Sequence, residues 1–193
     1  LWFEIVSKGL PISQTQSMLL ANCFSSTLGQ LEKRGFAHCD VSSSNFILSS
    51  DFASVELIDI EEMFAPGFKP PAFKPSGTDG YAPPWITGDK LWGPYADRFA
   101  TAILLSEILT WHLGEIRNNK FGESFFSSKE IGTRCDRFDL MHKCLGNMNP
   151  NLVQLFDCAW FAHELEECPS IMDWNRYISS LNANPIVEAA STY

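Results

Sequence analysis

Residues 99–109 form the most apolar stretch of the chain, interrupted only by Thr101, Ser106 and Glu107. A helix with one solvated face does not need so many apolar positions, so the run predicts a buried central helix. It falls far short of the ~20 apolar residues that cross a bilayer, and no membrane helix is expected. Neighbours for such a helix can be read on both sides. Ser13, followed three residues later by Gln16, is a capping-box signature, and Leu20, Phe24, Leu28 and Leu31 then recur at helical spacing up to Gly35. Further helices are predicted near 137–144, 150–161 and 170–181, with Gly146, Pro150 and Pro169 as punctuation. Two short β-favouring runs, 46–48 and 55–58, lie on either side of 49–53 and predict a small hairpin. Between hairpin and central helix, 65–84 carries six prolines and three glycines. That is too many for a regular element, so a long surface segment is expected there, of the kind that is often functional. Residues 184–193 show little pattern and read as a tail.

The chain has 193 residues, 45% of them apolar and 13% aromatic, enough for one folded domain with a real core. Lys and Arg number 14 against 23 Asp and Glu, a net charge of -9, so no basic surface for a nucleic acid is expected. The opening Leu1-Trp2-Phe3 has no initiator Met, basic n-region or cleavage site, and reads as a piece of a longer chain. Six cysteines without a Cys-x-x-Cys pair, in a chain too large to need a disulfide framework, suggest reduced thiols and a cytoplasmic location. Cys158, His163 and Cys168 stand five residues apart, which turns each ~140° from the last on a helix and scatters them away from a common metal.

The chemistry-bearing residues gather around the hairpin. His38-Cys39-Asp40-Val41-Ser42-Ser43-Ser44-Asn45 runs from the long helix into the first strand, and Asp59 follows the second. Taken alone, Asp40 and Asn45 are residues that cap turns through local hydrogen bonds. The order of helix, loop, hairpin and acid, however, resembles the catalytic loop and metal-binding aspartate of protein kinases. Gly77-Thr78-Asp79-Gly80-Tyr81-Ala82-Pro83-Pro84 looks like the end of a kinase activation segment, and Asp97-Arg98-Phe99-Ala100 begins a helix where kinases place a buried Asp. The likeness extends to a bacterial group of eukaryotic-like Ser/Thr kinase-like domains. It is carried there by Asp59 to Met63, by Gly122-Glu123-Ser124-Phe125-Phe126, and by Cys168-Pro169 followed by Trp174.

The resemblance covers 1–183 and implies a mainly α fold, the helical C-terminal lobe of a protein kinase-like enzyme with a small β-hairpin at its catalytic loop. It divides the chain into a catalytic loop at 38–45, a metal loop at 59–61, an activation segment at 59–85 and a central helix at about 97–111. Phosphoryl transfer needs an acid to orient the attacking hydroxyl and oxygen ligands for Mg²⁺. The resemblance gives Asp40 the first role, Asn45 and Asp59 the second, and makes Ile47 the apolar floor under the adenine of ATP. His38, Thr78 and Asp97 become structural supports, Asp97 as the holder of the loop backbone and Thr78 as a hydrogen-bond donor to Asp40, with a modified site as the alternative for Thr78. ATP, Mg²⁺ and a protein substrate are the partners implied, together with an N-terminal lobe, since neither a glycine-rich phosphate loop nor a strand lysine is found in this sequence. This chain alone is therefore expected to be inactive.

Several positions depart from the family pattern. Cys39 stands in place of an arginine that grips a phosphorylated loop, and Ser42 in place of a lysine that meets the transferred phosphate. Asp59-Ile60-Glu61 replaces Asp-Phe-Gly, with Ile60 expected to fill an apolar slot. Trp85 and Cys168 replace a Glu–Arg pair, an exchange of both partners that can be neutral or stabilising and that suggests the two pack together. Two other readings stay open. A pseudokinase that signals by contact is favoured by Ser42 and Glu61, and a small-molecule phosphotransferase of the aminoglycoside or choline kinase type is favoured by 58–61.

Overall fold

Ser13 sets the first long helix: its hydroxyl accepts the N–H of Gln16 at 3.1 Å, while the Gln16 side chain takes the Ser13 N–H at 2.8 Å. In the computed structural model, which describes residues 2–72, 75–86 and 91–183, this box starts α2 (Gln14–Lys33). Before it lies α1 (Trp2–Lys8), and after it β1 (Phe46–Leu48) and β2 (Val55–Leu57) pair antiparallel, with Ile47 opposite Glu56. A 3₁₀ turn (Ile60–Glu62) follows β2. The second half is helical: α3 (Asp97–Thr110), α4 (Gly114–Asn118), α5 (Asp136–Met148), α6 (Pro150–Trp160) and α7 (Ile171–Ala183), with a 3₁₀ turn (Leu165–Glu167) before the last. The protein is thus mainly helical with one two-stranded sheet. The tail expected at 184–193 lies outside the described residues.

Helix α3 is the axis. All of its residues except Arg98 are buried, including Glu107. It packs against α2 and α7 on one side and α5 and α6 on the other, as a helix apolar all round must. Aromatic rings fill the α5–α6 side, where Phe126, Phe138, Phe156 and Trp160 lie with centroids 4.5–6.2 Å apart. On the other side α2 meets α7 so closely that a Cβ on Gly29 would stand 2.6 Å from Met172 Sδ. A larger residue there would require the Met172 side chain to shift.

Two short helices were not expected from the sequence. Helix α1 is held from outside: Trp2 stands edge-on to Trp111 at 5.7 Å, and the Phe3 N–H donates to the Ser43 carbonyl at 2.8 Å. Helix α4 has five residues and buries Ile116. None of the six cysteines forms a disulfide. No helix among the described residues is long and apolar enough to cross a membrane.

An ion pair ties three elements together. Arg98 Nε donates to Glu32, and Arg98 Nη1 donates to the carbonyls of Glu166 and Cys168, both at 3.2 Å. The second Glu32 oxygen accepts the Ile171 N–H at 3.0 Å. Cys168 is buried in the core, and the partly buried Trp85 packs against that core with its ring edge-on to Phe99 at 6.2 Å.

Candidate active site

The loop 38–45 is anchored at both ends by backbone. Ala37 and Phe64 exchange two hydrogen bonds, at 3.2 and 2.8 Å, and the Ile58 N–H donates to the Asn45 carbonyl at 3.1 Å. These bonds bring the start of the loop, the end of the hairpin and the turn after it into one layer. Asp97, the first residue of α3, reaches under that layer. Its carboxylate accepts the N–H of His38 at 2.7 Å and of Cys39 at 2.8 Å. Burial raises the Asp97 pKa and the two N–H groups oppose that rise. Cys39 sits with φ 69°, a left-handed conformation unusual for a residue with a side chain, and the Asp97 bonds hold it there. Burial, with the Asp97 charge behind it, pushes the Cys39 thiol up to about 12, so it is an inert packing residue.

His38 is buried, and its Nε2–H donates to the Ile58 carbonyl at 2.8 Å. That bond joins loop to hairpin and gives the imidazole a supporting place, away from the open cleft.

Asp40 is held through both oxygens of its carboxylate. Asn45 Nδ2 donates both to the Asp40 carbonyl and to Asp40 Oδ2, each at 2.8 Å, while Thr78 Oγ1 donates to Asp40 Oδ1 at 2.8 Å. The carboxylate is therefore fixed from two directions, by its own loop and by the segment that precedes α3. Asn45 Oδ1 accepts one bond, from Ser44 Oγ at 3.2 Å, leaving an acceptor position on that oxygen. Ser42 is buried and shares a 3.1 Å hydrogen bond with Ser44 Oγ.

Asp59 is exposed and begins the 3₁₀ turn in a left-handed conformation, φ 63° and ψ 47°. Non-glycine residues held there are uncommon and concentrate at functional sites. The turn leaves Ile60 55% exposed, contrary to the expectation that it fills an apolar slot. The 3₁₀ turn itself buries none of its residues, so no core position exists there for it to occupy. Ile47, on β1, is 42% exposed and offers an apolar surface on the sheet.

Asp40 and Asp59 face one cleft of about 200 Å³, lined also by Glu61, Glu62, Ser76 and Gly77. No Lys or Arg is among these lining residues. Partial burial and the charges of Asp40, Glu61 and Asp59 raise the Glu62 pKa, the mark of a strongly negative space. Among the described residues no three or more His, Cys, Asp or Glu side chains form a cage for a metal ion. Mg²⁺ does not need one, since it is commonly held by one or two carboxylates with phosphate and water completing the shell. Asp59 lines this cleft and is a hard oxygen ligand of that kind, whereas Asn45 is not among the cleft's lining residues.

A residue passed over in the sequence matters as much as those singled out. Glu107, fully buried in α3, accepts Tyr81 O–H at 2.8 Å, Trp2 Nε1–H at 3.3 Å and the Phe125 N–H at 2.6 Å. It thereby links α1, the segment bearing Thr78 and the loop 121–126. Burial raises its pKa to about 7 against three hydrogen bonds that lower it. The sequence signal was one acid in an otherwise apolar helix, a position that burial permits only when partners surround it. Gly80 completes the same junction. With φ 85°, it lies so near the loop 121–126 that a Cβ would stand 2.4 Å from Ser124 Oγ and 2.8 Å from the Phe126 carbonyl oxygen.

No family model matches the chain, and no curated protein sequence matches it.

Proposed function

We propose that the chain is the helical lobe of a protein kinase-like phosphotransferase that moves the γ-phosphate of ATP to a Ser or Thr hydroxyl of a protein. The observation that carries this reading is the Asp40 carboxylate, held by Thr78 and Asn45 beside a cleft lined with Asp59, Glu61 and Glu62. An acceptor hydroxyl placed against Asp40 is oriented by it. As the hydroxyl oxygen bonds to the γ-phosphorus, the bond from that phosphorus to its bridging oxygen breaks, ADP leaves, and the hydroxyl proton passes to Asp40 and then to water. Asn45 and Asp59 would hold Mg²⁺, which neutralises phosphate charge while transfer proceeds. Asp97 acts as a positioning residue, fixing the loop backbone on which Asp40 stands.

Exposed Ile47 supports an adenine-facing role for β1, where an apolar side chain without cover suits a flat aromatic base. Six unpaired thiols support a reducing, cytoplasmic setting. The pseudokinase alternative rests on one observation: among the described residues no Lys or Arg lines the cleft, and Ser42, where a lysine would assist transfer, is buried. Calorimetric titration separates binding from chemistry. Mg²⁺-dependent ATP binding, weakened by Asp59→Ala, is expected. Binding indifferent to Mg²⁺ and to that substitution would remove the proposed nucleotide site.

A further inference from the structure

A second cavity opens on the far side of Thr78. It has a volume of about 370 Å³ and runs between the end of the loop 38–45, the segment 78–81 and the loop 121–128. Its floor is built from fixed backbone. Ser43 Oγ donates to the Glu123 carbonyl at 3.1 Å, the Phe121 and Ser124 backbones exchange two bonds at 2.9 and 3.2 Å, and Ser124 Oγ donates to the Phe126 carbonyl at 2.6 Å. Thr78 is shared: its residue lines this groove while its hydroxyl holds Asp40, which lines the acidic cleft. Whatever lies in the groove therefore lies next to the proposed acceptor position.

Among the described residues the charges lining the groove have one sign: Asp79 and Glu123 line it, both exposed, and no described Lys or Arg does. No ion pair among the described residues uses either carboxylate. Lys120, Lys129 and Arg137 stand around the groove without lining it. Lys120 is bonded to the Gly122 carbonyl at 2.9 Å, and Arg137 is met by Glu130 at 2.7 Å. Phe121 adds a ring that is 53% exposed, with Arg137 over it at 5.6 Å. A volume open along an extended floor, two exposed carboxylates with no ion-pair partner among the described residues and one exposed ring suit a polypeptide strand bearing cations.

We infer that this groove binds an extended segment of a protein acceptor, with Lys or Arg beside its Ser or Thr, and that Asp79 and Glu123 select for those cations. The inference rests on the phosphotransferase reading for the acceptor hydroxyl, but the binding itself can be measured without ATP.

The test uses three labelled peptides in which Ala replaces the acceptor residue, flanked by Arg, Gln or Glu, with affinities read by fluorescence anisotropy on the unmodified chain. Exposed ion pairs are individually weak, so each of Asp79→Asn and Glu123→Gln is expected to weaken the Arg peptide by about threefold, and the double variant by about tenfold. The Gln and Glu peptides should bind more weakly than the Arg peptide at low salt, and the difference should shrink as salt is added. Equal binding of all three peptides, no binding, or an Arg peptide indifferent to both substitutions overturns the inference. Both altered residues are exposed, so a folding defect does not confuse the result. Absence of phosphate transfer by the full natural open reading frame, with the charge preference intact, would overturn the phosphotransferase reading alone. Transfer to acceptors of any charge would overturn this inference alone.

Discussion

Glu107→Gln tests the junction beneath the site through its pH dependence. In the folded protein the Glu107 pKa is raised from 4.5 to about 7, chiefly by burial, whereas in the unfolded chain it returns to its ordinary value. The folded state therefore holds the proton more tightly, and the stability contributed is fully present below the unfolded pKa and is lost as pH rises through the folded one. A shift of this size corresponds to about 3 kcal/mol between about pH 4 and about pH 8. The amide of the substituted side chain cannot ionise, so that part of the pH dependence disappears with it. Urea unfolding followed by tryptophan fluorescence at several pH values gives both curves, and subtracting one from the other cancels every group they share. The difference should change by about 3 kcal/mol across that range, with most of the change between the two pKa values. A difference that stays constant with pH would refute the claim that Glu107 ionises inside the core at the expense of stability.

Two further substitutions probe the supports of the site. Asp97→Ala leaves the buried N–H groups of His38 and Cys39 without their acceptor, at a cost of about 1–3 kcal/mol each; chemical denaturation should show the loss, and ATP binding should weaken with it. Removing one partner of the largely buried Glu32–Arg98 pair, as Glu32→Leu or Arg98→Met, should cost about 3–5 kcal/mol, while the double variant should cost less than the sum; a double-mutant cycle with no coupling would contradict the pairing.

What could be read from the sequence was local. The capping box of Ser13 and Gln16, the apolar periodicity of α2, the hairpin and the buried character of α3 each depend on residues within a few positions of one another, and each is present in the structure. The elements and contacts that escaped depend on distant partners. Helix α1 has seven residues and owes its place to Trp111, 109 positions away, and to the Ser43 carbonyl. Glu107 looked like a polar interruption because Trp2, Tyr81 and Phe125 come from three separate segments. Ile60 was given an apolar slot by analogy with a phenylalanine, but the left-handed Asp59 starts a turn that leaves it in solvent. At the site, the residues were visible as a spaced pattern. The bonds from Thr78 to Asp40 and from Asp97 to the loop backbone are expected from the kinase resemblance and not from spacing, and neither foresees the bond from Asn45 to Asp40.

The most direct measurement is transfer of labelled γ-phosphate from ATP by the full natural open reading frame, assayed beside its Asp40→Ala and Asp59→Ala variants on protein acceptors. Transfer that requires Mg²⁺ and falls by orders of magnitude in both variants is the expected result. Transfer that survives both substitutions, or its absence from a folded protein that binds Mg²⁺ and ATP, would contradict the roles assigned to these two carboxylates.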